Sequence, residues 1–291
     1  MTITSLILLR FAQGLTWGFS TVSGATIAVD IIPELKRGEG IGYFAMSTTL
    51  GMSIGPVVGL FICHQWGYTT MFISGLFISI ASLACAFAVQ LPRKLLIGKR
   101  IQFNWYTLFD KNSILPSLNL FIFMIPYGGL LSFIALYGRE LGVNNSSLFF
   151  LIFAIGIAIS RFTAGKAFDK NGPRRIITLC LILLIIGFPF LAYVQNEVEF
   201  YISAIIIGFG NGVIFPTFQS MVNNLADSEH RGAANSTLYT AVDLGMGLGM
   251  IFAGLIAQHI SISAIFLIST FVCIAGLIFF RLFVIGFYES H

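Results

Sequence analysis

Charge is what this sequence has least of. Asp, Glu, Lys and Arg together make up 10% of its 291 residues, while 57% are hydrophobic and the mean hydropathy is +0.91. Soluble domains carry roughly a quarter of their residues as charges. A soluble globular protein is therefore excluded, and the apolar surplus must face hydrocarbon. Metal-ligand patterns are missing too. Cys63, Cys85, Cys180 and Cys273 stand singly with no CxxC pair, and His64, His230, His259 and His291 are equally scattered. Such spacing offers no metal site, no disulfide framework and no cofactor site. Acids and histidines do not gather near one membrane surface, which argues against a membrane-embedded enzyme. The net charge of +4 belongs to loops between spans and not to a nucleic-acid-binding face.

What the chain has is apolar runs long enough to cross a bilayer as helices. They fall near residues 4–30, 41–63, 68–90, 117–138, 147–165, 176–195, 200–224, 236–257 and 262–280, nine in all. The first holds Arg10 and Gln13 and has no basic leader or small-residue cleavage site, so it does not read as a signal peptide. Loops at 33–40, 91–116, 165–175 and 225–232 hold twelve Lys and Arg, whereas the turns on the other side hold only Arg139. The basic side is cytoplasmic. The first span then runs inward, and the chain ends in the cytoplasm just beyond Arg281.

The stretch Arg37–Gly59 organises the rest. Gly51, Gly55 and Gly59 share one helix face, where a second backbone can approach closely in lipid, and Pro56 bends the segment. Shifting the chain by 194 residues lays Arg37-Gly38 on Arg231-Gly232, Gly14 on Gly208, Gly18 on Gly212, Gly51 on Gly245 and Gly55 on Gly249. Internal repeats of this kind are characteristic of secondary transporters. The second copy is preceded by three spans and the first by none, so the expectation is twelve spans of which three at the front are absent.

Two sets of helices joined by a long basic loop resemble the major facilitator superfamily, and particular residues resemble its proton-coupled drug exporters. Arg10-Phe11-Ala12-Gln13-Gly14 resembles the RxxQG motif of the fourth helix. Gly51 through Gly59 resembles the GxxxGPxxGG antiporter motif of the fifth, with Leu60 in place of the last glycine. Gly165 through Arg175 resembles the GxxxDRxGRR loop as it occurs in the carboxyl half, with Lys170 and Pro173 as departures. The resemblance implies an all-α polytopic membrane protein, a major facilitator-like helical bundle with nine of twelve helices. Its parts are an amino-terminal piece at 1–90, a cytoplasmic linker at 91–116 and a six-helix half at 117–291.

The same resemblance implies roles for single residues. Arg10 reads either as a participant in proton transfer or as a side chain snorkelling to the outer surface, about 10–15 Å from Met1 at helical rise. Asp30 resembles the acidic partner of a charged loop. Asp169 with Arg174 and Arg175, around Gly165 and Gly172, reads either as a cytoplasmic gate or as a plain basic loop. Asp243 lies within a span, where an acid is a functional candidate by default. It reads either as a proton-coupling carboxylate, with Tyr239 four residues earlier on its face, or as an ordinary acid near the cytoplasmic headgroups. Gln13, Phe123, Tyr127, Asn211, Gln219 and Tyr239 are candidates for the wall of a substrate cavity, with Met124, Phe215, Phe218 and Met246 as adaptable apolar neighbours.

The function these readings imply is secondary active transport in the plasma membrane: proton-coupled efflux of small organic or amphipathic compounds by a monomer in the lipid bilayer. Alternatives are metabolite uptake or exchange, a non-transporting scaffold, or an inactive truncated membrane protein.

Overall fold

The computed structural model describes residues 3–32, 37–89, 109–227 and 230–290. The side chains of Asp30, Pro56 and residues 162–172 are outside it, as is most of the expected linker. All regular structure among the described residues is helical. In order come α1 (Ile3–Ile31), α2 (Arg37–Ala88), α3 (Lys111–Glu140), α4 (Leu148–Ala192), α5 (Glu197–Asn211), α6 (Ile214–Leu225), α7 (Arg231–His259) and α8 (Ile262–Phe279). A π-helical turn at Phe280–Val284 and a short α9 (Ile285–Glu289) follow.

The expected spans fall on helices, the one at 200–224 divided between α5 and α6, but the boundaries differ. Six stretches are long and apolar enough by themselves to cross a membrane: 65–88, 111–140, 173–192, 197–225, 231–259 and 262–289, with Leu148–Arg161 a shorter apolar segment. The count of nine is therefore not reached on length and hydropathy among the described residues. Arg10, Gln13 and the Ser and Thr positions of α1 dilute its hydropathy, and much of 37–63 lies outside the described side chains.

Local chemistry sets the ends. Gly67, at φ 82°, breaks α2 where the turn between two spans is expected, a backbone geometry that glycine adopts without strain. Asn196 opens α5: its Oδ1 accepts from the Glu199 amide at 2.9 Å while its Nδ2 donates to the Glu199 carboxylate at 2.7 Å. Asp110 and Ser261 cap α3 and α8 in the same manner.

α4 is a hairpin. A β-carbon at Gly208 would overlap the Phe153 carbonyl oxygen, and one at Gly210 would lie 3.0 Å from the carbonyl oxygen of Cys180. Residues 153 and 180 would be about 40 Å apart along a straight helix. The limbs 148–161 and 173–192 are therefore antiparallel, both against α5. Lipid supplies no hydrophobic force between helices, so close van der Waals packing over small residues holds such interfaces together.

At the outer end the core is aromatic. The Tyr137 ring lies 5.1 Å from Phe266, and Phe200 lies 5.0 Å from Phe149. The Tyr137 hydroxyl donates to the carbonyl of Ala192 at 3.1 Å, satisfying one of the acceptors left over at the end of α4. Tyr137→Phe removes only that bond. The expected loss is about 1 kcal/mol, read as a drop of about 2–4 °C in the melting temperature of the detergent-solubilised protein.

Candidate functional site: a central cavity

A cavity of about 700 Å³ opens where the amino-terminal helices meet the carboxyl-terminal ones. Trp17 and Thr21 of α1 and Phe44, Ser47, Thr48 and Gly51 of α2 form one wall. The other comes from α3 (Met124, Tyr127), α4 (Ile157, Arg161), the α5–α6 break (Asn211, Gly212, Phe215) and α7 (Tyr239, Val242, Asp243, Met246). Its size suits a drug-sized organic molecule. Apolar and aromatic side chains dominate, with the Phe215 and Tyr239 rings 5.8 Å apart, and a few polar groups converge between them.

Asp243 is on this wall. α7 begins at Arg231, five residues before the expected start, so Asp243 is its thirteenth residue of 29. That places it about 18 Å from the cytoplasmic end at helical rise. Tyr239 lines the cavity one turn away. Among the described residues Asp243 has no ion pair.

Arg161 is the residue that sequence reasoning missed. It is the last residue of the apolar limb 148–161, about 20 Å from the outer start of that limb. Its Nε donates to the carbonyl of Gly212 at 3.0 Å. That carbonyl has no helical donor, because the residue four positions on is Pro216, which carries no N–H. The same proline accompanies the break at Gly212–Val213 that splits the expected span 200–224 into α5 and α6. The motif was legible: an arginine in an apolar run, and a Gly-x-x-x-Pro that strands a carbonyl in lipid.

Of the expected wall residues, Tyr127, Asn211 and Tyr239 are assembled here together with Asp243. Phe123 and Gln219 are not. Phe123 is 2% exposed, its ring tilted against Phe218 at 6.1 Å and pressed against Gly276, and Gln219 is 1% exposed behind Tyr239. Gln13 accepts a 3.0 Å hydrogen bond from Arg10 Nη1, both exposed on α1 one turn before the cavity begins at Trp17. Arg174 and Arg175 line a separate cavity of about 470 Å³ with Arg281, Thr178, Leu179 and Ile182. Asp30, Pro56, Gly165, Asp169 and Gly172 lie outside the described side chains.

The glycines divide by copy. Gly245 and Gly249 of α7 bring it onto the α3 backbone, and a β-carbon at Gly245 would lie 2.5 Å from the Phe121 carbonyl oxygen. Gly208 and Gly212 do the same for α5 against α4. Their counterparts Gly14, Gly18, Gly51 and Gly55, and Gly59 with them, have no described atom within 4 Å of such a carbon.

Comparison with known proteins places this architecture. The chain is 26% identical over 272 residues to the staphylopine export protein of Staphylococcus aureus, covering 89% of this chain and 68% of that protein. It is 25% identical over 296 residues to the multidrug resistance protein MdtG of Klebsiella pneumoniae, covering 96% and 69%. The fold is similar to that of the human organic anion transporter MFSD10 (TETRAN), with a TM-score of 0.68 at 15% identity over 89% of this chain and 67% of that one. The Major Facilitator Superfamily pattern matches residues 1–152 and again 117–288, so this multi-pass membrane protein belongs to that superfamily of transporters.

Proposed function

We propose that the chain is a proton-coupled exporter that moves small organic compounds outward by alternating access around the central cavity. The observation that carries this is Asp243, a carboxylate without an ion pair among the described residues, midway along a membrane-spanning helix, on the wall of a cavity shared by both parts of the chain. An acid in that position is costly to maintain and has a use if it gains and loses a proton with each cycle. The export direction rests on the relatives, named for staphylopine export and multidrug resistance.

In the proposed cycle Asp243 takes a proton when the cavity faces outward and releases it inward, with Tyr239 as its neighbour on the wall. The amino-terminal helices rock against the carboxyl-terminal ones. The face of Gly51, Gly55 and Gly59, bent at Pro56, takes up a helix backbone as Gly245 and Gly249 do. The segment from Gly165 through Asp169 and Gly172 to Arg174 and Arg175 closes the cytoplasmic side. Arg10, bonded to Gln13, sits at the outer interface, and Asp30 marks the inner end of α1.

The test is transport in proteoliposomes loaded with ethidium or dansylglycine. Efflux should accelerate when the outside is made acidic and should slow to the leak rate when a protonophore collapses the gradient. Efflux indifferent to the gradient for both compounds overturns the proposal.

A further inference from the structure

Nothing in the packing of α4 requires a cation at position 161, and a guanidinium within a membrane span is costly unless it has partners. Arg161 has few. One edge is fixed, because Nε is held by the Gly212 carbonyl that Pro216 leaves without a helical donor. Nη1 is sealed from bulk solvent and has no hydrogen-bond acceptor among the described residues. Among the described residues no carboxylate answers it either: Asp243 lines the same cavity but forms no ion pair with it. The side chain lines the cavity together with Tyr127 and Phe215.

An arginine oriented through Nε, with Nη1 unpaired beside an apolar cavity, matches an anion whose oxygens can accept from it. A carboxylate accepts two parallel N–H bonds from such a fork, and in a site of low dielectric those bonds are strong. A substrate that is merely apolar or cationic would leave the buried Nη1 unsatisfied, which is itself unfavourable. We infer that Arg161 is a carboxylate-binding subsite, and that the cavity takes organic carboxylates whose apolar body lies against Met124, Phe215 and Met246. This rests on the cavity being the substrate site proposed above, and it narrows the substrate class. Pro216 becomes a positioning residue: by stranding the Gly212 carbonyl it fixes the direction in which the guanidinium points.

Dansylglycine and its uncharged amide, dansylglycinamide, test this in the purified detergent-solubilised chain. Trp17 on the cavity wall is the energy-transfer donor, and Trp17→Phe identifies its signal. Wild type should bind the carboxylate at least tenfold more tightly than the amide. Arg161→Gln should lose that preference through weaker carboxylate binding, with amide binding unchanged, which also reports an intact cavity. Arg161→Lys should keep part of it. Pro216→Ala restores an amide N–H that competes for the Gly212 carbonyl, and should weaken carboxylate binding several-fold while leaving the amide unaffected. Equal affinity of wild type for the two compounds overturns the inference, and so does an Arg161→Gln protein that retains the preference. If Arg161→Gln binds neither compound, the wild-type preference and Arg161→Lys decide. Carboxylate-selective binding without gradient-driven efflux would overturn the exporter and leave this subsite standing. Gradient-driven ethidium efflux without carboxylate preference would do the reverse.

Discussion

Replacing Gly249 with leucine is expected to disrupt the carboxyl-terminal bundle, with a melting temperature in detergent lowered by more than about 10 °C or no folded protein recovered. A β-carbon at Gly249 would overlap the Ile125 carbonyl oxygen, and the obstacle is backbone, which cannot rotate aside. The contact is not isolated. A β-carbon at Gly245 would meet the Phe121 carbonyl at 2.5 Å, and one at Gly128 would overlap the carbonyl of Met246. α3 and α7 thus cross backbone to backbone over several turns. Admitting a leucine forces them apart by the thickness of a side chain, and the interface loses its dispersion contacts along its whole length. Overpacking of this kind costs about 1–3 kcal/mol where neighbours can shift, and more where they cannot. No hydrophobic force in lipid compensates for it. Gly55→Leu is the matched control. It occupies the equivalent place in the first copy of the repeat, where no described atom lies within 4 Å, so melting should change by no more than the few tenths of a kcal/mol typical of open sites. A transport defect in that stable variant would point to a conformation in which the face is occupied. Equal melting of Gly249→Leu and wild type would overturn the packing argument.

That contrast also marks how far the sequence can be read. The glycine faces were visible as a pattern because glycine spacing is a property of one helix. Occupancy is a property of two, and it differs between copies whose glycines match. The helices themselves were legible because lipid leaves the backbone no other way to satisfy its hydrogen bonds, and the turns at Gly67, Asn196 and Ser261 carry their own chemistry. Boundaries were less so. α7 extends back to Arg231 through Arg-Gly-Ala-Ala-Asn-Ser, a polar turn that hydropathy alone assigns to the loop.

The cavity was half legible. Tyr127, Asn211, Tyr239 and Asp243 stand out as polar or aromatic residues inside spans, and they converge. Phe123 lies one turn from Tyr127 on α3, yet Gly276 of α8 lets a helix close over its ring, and no residue of α3 announces that. Arg161 escaped for a different reason. It lies five residues before Lys166 in a basic segment, so it reads as a boundary charge. What gives it away is the stranded carbonyl of Gly212, a feature of another helix some 50 residues on.

Asp243→Asn is expected to abolish gradient-driven efflux, to within the leak of protein-free liposomes, while dansylglycinamide binding stays within about threefold of wild type. Asparagine has nearly the same shape and keeps an acceptor on the cavity wall, so packing of α7 is undisturbed. What it cannot do is change charge. With aspartate, the ionised form holds a negative charge midway along α7 without an ion-pair partner among the described residues, and protonation removes that charge. Carrying an uncompensated charge through a closed intermediate costs several kcal/mol. The empty carrier therefore turns inward with Asp243 protonated, and the ionised carrier turns outward only with substrate in the cavity, which ties efflux to proton entry. Each unit of pH difference supplies about 1.4 kcal/mol per proton, so a two-unit gradient can support roughly a hundredfold accumulation of substrate at one proton per cycle. The asparagine variant is permanently neutral. It should equilibrate substrate down its own gradient without responding to the proton gradient, so counterflow of labelled dansylglycine should persist while uphill movement disappears. Uphill efflux by Asp243→Asn with the pH dependence of wild type would show that the coupling proton binds elsewhere.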